Sequence, residues 1–412
     1  MTAQTPGSVR IRSATLKGED ISGNIRDFKV WSSIFKPYRV AEVVLFDSQN
    51  LINRMKIQGN EDFEISFDTG GNNSGQPYRA KLKVTTSGNI TDFPTVKAQG
   101  YRLRLADEMY FKNQTTKVSQ AFSDVTGTDM IQKIFDQHLK PQNGGQLKII
   151  KPSKGKIGTK YQKFIRANEY PLASISSILK ILYANESGNY VFFQDDNGDY
   201  NCGPLAEIIK NAEMTEKFTR DPTIGSDSSA FEKVGKNIFG LYIPEKHSPA
   251  MDYKNTKNVI PDSVHKFGEK YDPGKKKNIQ TDSVIGRPMN EENDTYQSEY
   301  HRNLINTAWD GKLYKNHPHY QTMGQRYLYS SILENGPSYS MSVFGDYGIN
   351  VTVGKAVEAD IPEPSGDQNR SSQNQLKGKA IVANSLKHIK PYDTSPQFEC
   401  TFDCFRGGVE KT

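Results

Sequence analysis

The sequence predicts a β-rich α+β chain, with β-modules near both ends and mixed material between them. Three observations lead there. Gly (33), Tyr (21) and Phe (20) are plentiful while long alanine- and leucine-rich runs are missing, a balance that favours strands and turns over helices. Short stretches of alternating polar and apolar residues recur in 8–105 and again in 325–412. Apolar residues at helical spacing appear between them.

In chain order, Ser8 to Leu16 and Ala41 to Phe46 alternate as half-buried strands do. Asp47-Ser48-Gln49-Asn50 then opens a short turn or helix, with Asp47 a candidate N-cap. Phe63 to Phe67 and Tyr78 to Thr85 are further strands, separated by the hairpin-loop cluster GGNNSGQP, and Val96 to Leu105 is another. Short strands at this spacing fit a small barrel or a sandwich. From about 111 the pattern changes. Ser123 or Thr126 can cap a helix carrying Met130, Ile131, Ile134, Phe135 and Leu139. Pro171 starts a second helix, with Leu172, Ile175, Ile178, Leu179 and Leu182 on one side. YVFFQDDNGDYNC reads as two strands around Asn197-Gly198, a strong hairpin signal. Residues 206–330 are least legible. KFTRDPTIGSDSSAFEKVGKNIFGLYIP can start another β-segment, 245–300 is a long polar insertion, and a helix is expected from about Glu292 to Ala308. Strands return as RYLYSSI, YSMSVFG, NVTVGKAV, GKAIVANSLKHI and QFECTFDCF, with a Pro/Ser/Gly/Gln loop over 361–377.

Composition narrows the function classes. A chain of 412 residues can hold roughly two to four domains, and its 35% apolar share implies much loop or burial against partners. The net charge of +6 is too dilute for a nucleic-acid binder, which concentrates charge in a patch. Cys202, Cys400 and Cys404 suggest neither a disulfide framework nor a zinc site. The first residues lack an apolar signal core, and no run of about 18 apolar residues occurs, so synthesis as a soluble cytoplasmic chain without membrane insertion is expected.

No motif carries convincing chemistry. Counting an EF-hand loop from Asp195 puts Tyr200 where glycine is needed and Ala206 where glutamate is needed, so Asp195–Asp199 reads as a hairpin turn and not a calcium loop. Cys400 and Cys404 share one strand face about 13 Å apart, too far for a bond or a shared metal, and read as small buried side chains. His317 and His319 lack a Cys/His partner, and the proline between them suggests an exposed loop. G-x-S-x-G, H-E-x-x-H and G-x-x-x-x-G-K-[ST] are absent, and the paired acids Glu61-Asp62 and Glu291-Glu292 sit in polar context as solvated charge. The basic run Lys148, Lys151, Lys154, Lys156, Lys160, Lys163 and Arg166, with Tyr161 and Phe164, suits a solvated loop or an acidic protein partner better than a polyanion. Lys275-Lys276-Lys277 reads the same way. No catalytic residue, cofactor or metal ligand is therefore assigned.

Residues 30–67 carry a further signal: Ile34, Phe35, Pro37 and Tyr38 lead into a strand, Asp47, Ser48 and Asn50 form a turn, and Gly59 and Glu61 precede the next strand. This combination resembles the baseplate hub proteins of contractile-tailed phages, whose fold is shared with the N-terminal half of VgrG and with phage late control D proteins. The 126–139 helix, the Pro171 helix and the YVFFQDDNGDY hairpin follow the order of that family's inserted domain, and GKAIVANSLKHI with QFECTFDCF resembles its closing strand pair. The resemblance implies two small antiparallel β-barrel tube domains, an inserted α+β domain and a long polar insertion. The domain bounds expected from it are 1–110 (first tube domain), 111–205 (inserted domain), 206–330 (mixed, loop-rich) and 331–412 (second tube domain). It implies a structural, non-enzymatic virion protein of the tail baseplate, in which three chains close a pseudo-six-fold ring built by 30–67 and 378–406, with 111–205 outside it. Its partners would be two further copies (a homotrimer), a separate central spike, tail tube or tube-adaptor proteins and baseplate wedge proteins. Genomic DNA would pass through the ring without specific binding, and assembly would take place in the host cytoplasm. The rival readings are a receptor- or glycan-binding tail protein stacking sugars on Tyr320, Tyr327, Tyr329 and Tyr339, and a peptidoglycan-degrading tail enzyme.

Overall fold

The computed structural model describes residues 6–69, 77–93, 95, 97–142, 145–151, 164–182, 190–221, 231–242, 269–272, 277–280, 339–361, 378–391 and 396–405. Most of the GGNNSGQP loop, Lys154 to Lys163, most of the 245–300 insertion, the 292–308 helix, His317, His319, Tyr320, Tyr327, Tyr329, RYLYSSI and the loop after Ile361 lie outside the described residues.

The N-terminal strands are β1 (Val9–Leu16), β2 (Glu19–Asp20), β3 (Ile25–Ser33), β4 (Val40–Asp47), β5 (Asp62–Thr69), β6 (Tyr78–Phe93) and β7 (Ala98–Ala106), with helix α1 (Leu51–Met55) between β4 and β5. The strands expected in this stretch are all present, whereas of the expected strand NVTVGKAV only Ala356 and Val357 lie in one. β6 runs past Thr85 to Phe93, and β3 is a strand that alternation alone did not single out. Side chains alternate inward and outward along β4 and β5, as a sheet with one dry face requires. The motif residues are largely turn chemistry. Asp47 accepts the amides of Gln49 (2.7 Å) and Leu51 (2.5 Å) and so starts α1. Glu61 accepts those of Gln58 (2.7 Å) and Gly59 (2.9 Å).

A mixed unit follows: α2 (Glu108–Thr115), β8 (Val118–Phe122), α3 (Gly127–Ile134), β9 (Leu147–Ile149), β10 (Phe164–Glu169), α4 (Pro171–Ile181), β11 (Tyr190–Gln194), β12 (Tyr200–Pro204) and α5 (Leu205–Lys210). Thr126 caps α3 by accepting the Asp129 amide at 3.2 Å, and the helix continues as a π turn over Phe135–Leu139. Met130, Ile131, Ile134, Phe135 and Leu139 are all fully buried, in a core shared with Ile175, Ile178 and Leu182 beside α4. The β11–β12 hairpin turns through the five residues 195–199. That loop is longer than Asn197-Gly198 alone suggests, because the Asp195 side chain accepts the amides of Asn197 and Asp199, both at 3.0 Å. Gly198 turns the corner at φ +94, a conformation that suits glycine.

The remaining elements are β13 (Met214–Thr219), α6 (Phe231–Gly235), β14 (Ile238–Tyr242), β15 (Glu269–Asp272), β16 (Lys277–Gln280), β17 (Tyr339–Phe344), α7 (Gly345–Gly348), β18 (Ala356–Asp360), β19 (Gly378–Lys390) and β20 (Gln397–Phe405). β15 and β16 pair only with each other among the described residues. Every other strand outside the mixed unit joins one 13-stranded sheet, ordered β14-β17-β20-β19-β3-β4-β7-β6-β5-β1-β2, with β18 on β19 and β13 parallel to β18. The architecture is therefore β-rich, with one large, mostly antiparallel sheet and a few short helices.

β19 joins the two ends of the chain. Its first residues pair with β18, from Gly378↔Ala359 to Ile381↔Ala356. Its later residues pair with β3, from Asn384↔Ser33 to Ile389↔Phe28. β20 runs along nearly all of it. A bridge between Ser8 and Gln397, with the Phe398 amide donating to the Gly7 carbonyl at 2.7 Å, brings the start of β1 onto β20. One apolar core consequently spans both ends, and Phe67 meets Phe398 edge-on at 4.9 Å.

Candidate functional site

β11 has the unusual sequence YVFFQ and is buried on both faces. Tyr190 and Phe192 point into the core of the mixed unit, while Val191 and Phe193 point into the core of the large sheet. A strand covered on both sides reads as a near-continuous apolar run, which explains its lack of alternation. It forms the wall between the two cores, and its turn reaches a junction of all three parts of the chain.

At that junction the neighbouring aspartates of the turn diverge. Asp195 serves the turn itself, and burial raises its pKa above the ordinary carboxylate range. Asp196 turns inward and is 2% exposed. Its carboxylate accepts Ser32 Oγ of β3 at 2.9 Å and the Val353 amide at 3.2 Å, and lies 3.4 Å from Lys387 Nζ of β19. Its carbonyl accepts Arg39 Nη1 at 2.8 Å. Lys387 is 1% exposed and stands over the Tyr78 ring at 5.2 Å.

A second buried aspartate completes the cluster. Asp107 caps α2 through the Met109 amide at 3.2 Å, and also accepts Tyr200 Oη at 2.6 Å and Gln194 Nε2 at 2.8 Å. Arg39 Nη2 lies 3.5 Å from it, while the Arg39 amide donates to Gln194 Oε1 at 3.0 Å. Burial pulls the Arg39 pKa down, but Tyr78, Asp107 and Asp196 outweigh it and leave the guanidinium above its ordinary value. Burial, reinforced by Asp107, pushes the Tyr200 phenol upward. Burying such ions costs several kcal/mol each unless partners surround them, and here each charge has an opposite one or directed donors. The arrangement can hold three chain segments in register. It presents no nucleophile–base pair.

The outer surface differs. Trp31 (37% exposed) and Val40 are cross-strand neighbours on the outward face of β3 and β4. Phe239 and Tyr242 (65% exposed) lie on β14, which among the described residues pairs with β17 alone. An open strand edge is a template for pairing with another chain unless something blunts or covers it.

Of the residues weighed from sequence, Asp195–Asp199 form the expected turn, and Asp196 is in addition a buried tie. Cys400 and Cys404 are buried free thiols on β20. Tyr339 is fully buried on β17, so it offers no stacking platform. Glu61 holds a turn. Among the described residues no group of three or more His, Cys, Asp or Glu could hold a metal, and no helix is long and apolar enough to cross a membrane. Arg39, Asp107, Gln194, Tyr200 and Lys387 were not foreseen. Only Asp107, an acid between a strand and a helix, carried a legible signal, as an N-cap.

No family model and no curated protein matches this chain. Solved structures do. A tail protein from Neisseria meningitidis MC58 is similar over 98% of this chain and 97% of its own, at 10% identity and a TM-score of 0.54. The 43 kDa tail protein of prophage MuSo2 from Shewanella oneidensis is similar over 97% and 98%, at 13% identity and a TM-score of 0.53. A chain of the lidless PdpA–VgrG complex is similar over 98% of this chain but 65% of its own, at 11% identity and a TM-score of 0.50. The chain thus has the fold of phage tail proteins and VgrG-related proteins.

Proposed function

We propose that this chain is a structural, non-enzymatic subunit of a contractile phage tail: the central baseplate hub that joins the tail tube to the spike. The observation that carries the reading is the end-to-end likeness to two tail proteins, which spans nearly the whole of each chain. In this reading the two ends of the sheet are tube modules, each curling into a small barrel, with β19 and β20 as their common seam. Three copies close a ring of six modules around a channel, so that a three-fold spike meets a six-fold tube. Exposed surfaces such as Trp31–Val40 and β14 are then covered by neighbouring copies, tube or tube-adaptor proteins and wedge proteins. DNA passes through the channel without specific binding, because tight phosphate contacts would arrest it.

Light scattering on the chromatographed chain, with and without the spike protein of the same tail, tests this. A trimer that forms with the spike is the expected result. A monomer that ignores the spike overturns the hub role, and clearing of cell walls in a zymogram overturns the non-enzymatic one.

A further inference from the structure

We infer that the 195–199 turn is a latch, through which Asp196 locks the mixed unit to both ends of the sheet so that the three parts behave as one rigid body. This inference does not rest on the hub reading. It rests on where the partners of one side chain come from. Ser32 belongs to the N-terminal strands, Lys387 to the shared strand β19 and Val353 to the C-terminal segment before β18, and each meets the same carboxylate. The backbone of Asp196 adds Arg39, which in turn reaches Asp107 at the entry to the mixed unit.

The hydrophobic effect alone would leave the register of these parts open, since it is non-directional and rewards buried area. Directed bonds to a buried charge do not, because a shift that breaks one leaves an ion without compensation. The neighbours in the cluster do not stand in for it: burial keeps the Tyr78 and Tyr200 phenols neutral, and Asp107 is already engaged by Tyr200 and Gln194. The latch therefore opens as a unit. Force applied to the mixed unit then reaches the sheet directly and is not absorbed at a hinge.

Hydrogen exchange on the full chain tests the latch with Asp196→Asn and Lys387→Met. The expected result is a loss of protection of about 100-fold or more, appearing together in the 190–204 hairpin, in 351–356 and in 384–389, while β1 and β5 keep theirs. Loss confined to 195–199 would reduce Asp196 to a turn residue and overturn the proposal. If either single variant is too unstable to purify, Asp196→Leu combined with Lys387→Met decides, since it removes both charges. Joint loss of protection in 190–204, 351–356 and 384–389 of that charge-free variant supports the latch, and protection at the parent level in all three overturns it.

Discussion

The two ends of the large sheet solve the same packing problem with different materials. The N-terminal strands β1 and β3–β7 come from one run of chain and pair antiparallel throughout. Their outward faces carry cross-strand ion pairs: Lys81–Glu64 at 2.9 Å, Lys83–Asp62 at 2.7 Å, Arg102–Glu42 at 3.3 Å, and Arg12–Asp68. The C-terminal strands are gathered from 214–219, 238–242, 339–360 and 378–405, include the parallel pair β13–β18, and carry hydroxyl and amide contacts outward beside ion pairs such as Lys217–Glu358 at 2.7 Å and Lys390–Glu399. Ser342 and Thr401 meet at 2.9 Å, Asn384 donates to Asp403 at 3.0 Å, and Ser340 bonds Asp403. Inside, this half relies on close backbone approach: a Cβ on Gly345 would stand 1.7 Å from the Phe398 ring. Local alternation builds the first half, and long-range fit builds the second.

Phe398 puts the joint between them under test. It lies against Phe67 of the N-terminal strands and against Gly345 of the C-terminal ones, so Phe398→Ala should cost about 3–5 kcal/mol in urea unfolding. The loss should appear in a single transition. Two separated transitions would mean that the halves are independent and that the shared hairpin does not bind them. Gly345→Ala presses on the same joint from the C-terminal side. The added methyl must displace the Phe398 ring, with an expected loss of about 1–3 kcal/mol by the same measurement. Arg102→Gln turns to the N-terminal half. It breaks one pair of an exposed ladder, and the unfolding free energy should change by less than about 1 kcal/mol. A larger effect would show that the ladder stabilises this half and does not merely solvate it.

The thiols should show no native reactivity. Burial pushes Cys202 up to about 12 and raises Cys400 and Cys404 as well, and all three are fully covered. At roughly pH 8 a thiol reagent should find none of them in the folded chain and all three after denaturation. Early reaction of Cys400 or Cys404 alone would reveal local opening of β20, and hence a C-terminal half looser than its packing implies.

By itself the sequence determined the β-rich class, most of the N-terminal strands, the helices at 126–139 and 171–181, the Asp47 cap and the 195–199 turn. These follow from neighbours a few residues apart: alternation, helical spacing, proline and capping oxygens. The polar junction was beyond its reach. In GKAIVANSLKHIK alternation would place Leu386 inside, yet Ser385 and Lys387 are buried and Leu386 faces outward. The register shift between Val382 and Asn384 marks where the strand leaves one pairing pattern for another. Slipping a strand by one residue exchanges its faces, and that choice is made by partners remote in sequence. Likewise nothing near Asp196 distinguishes it from Asp195, because Ser32, Val353 and Lys387 are brought to it only when the chain closes. Tertiary structure decided the junction because a buried charge is tolerable only where distant segments surround it at once.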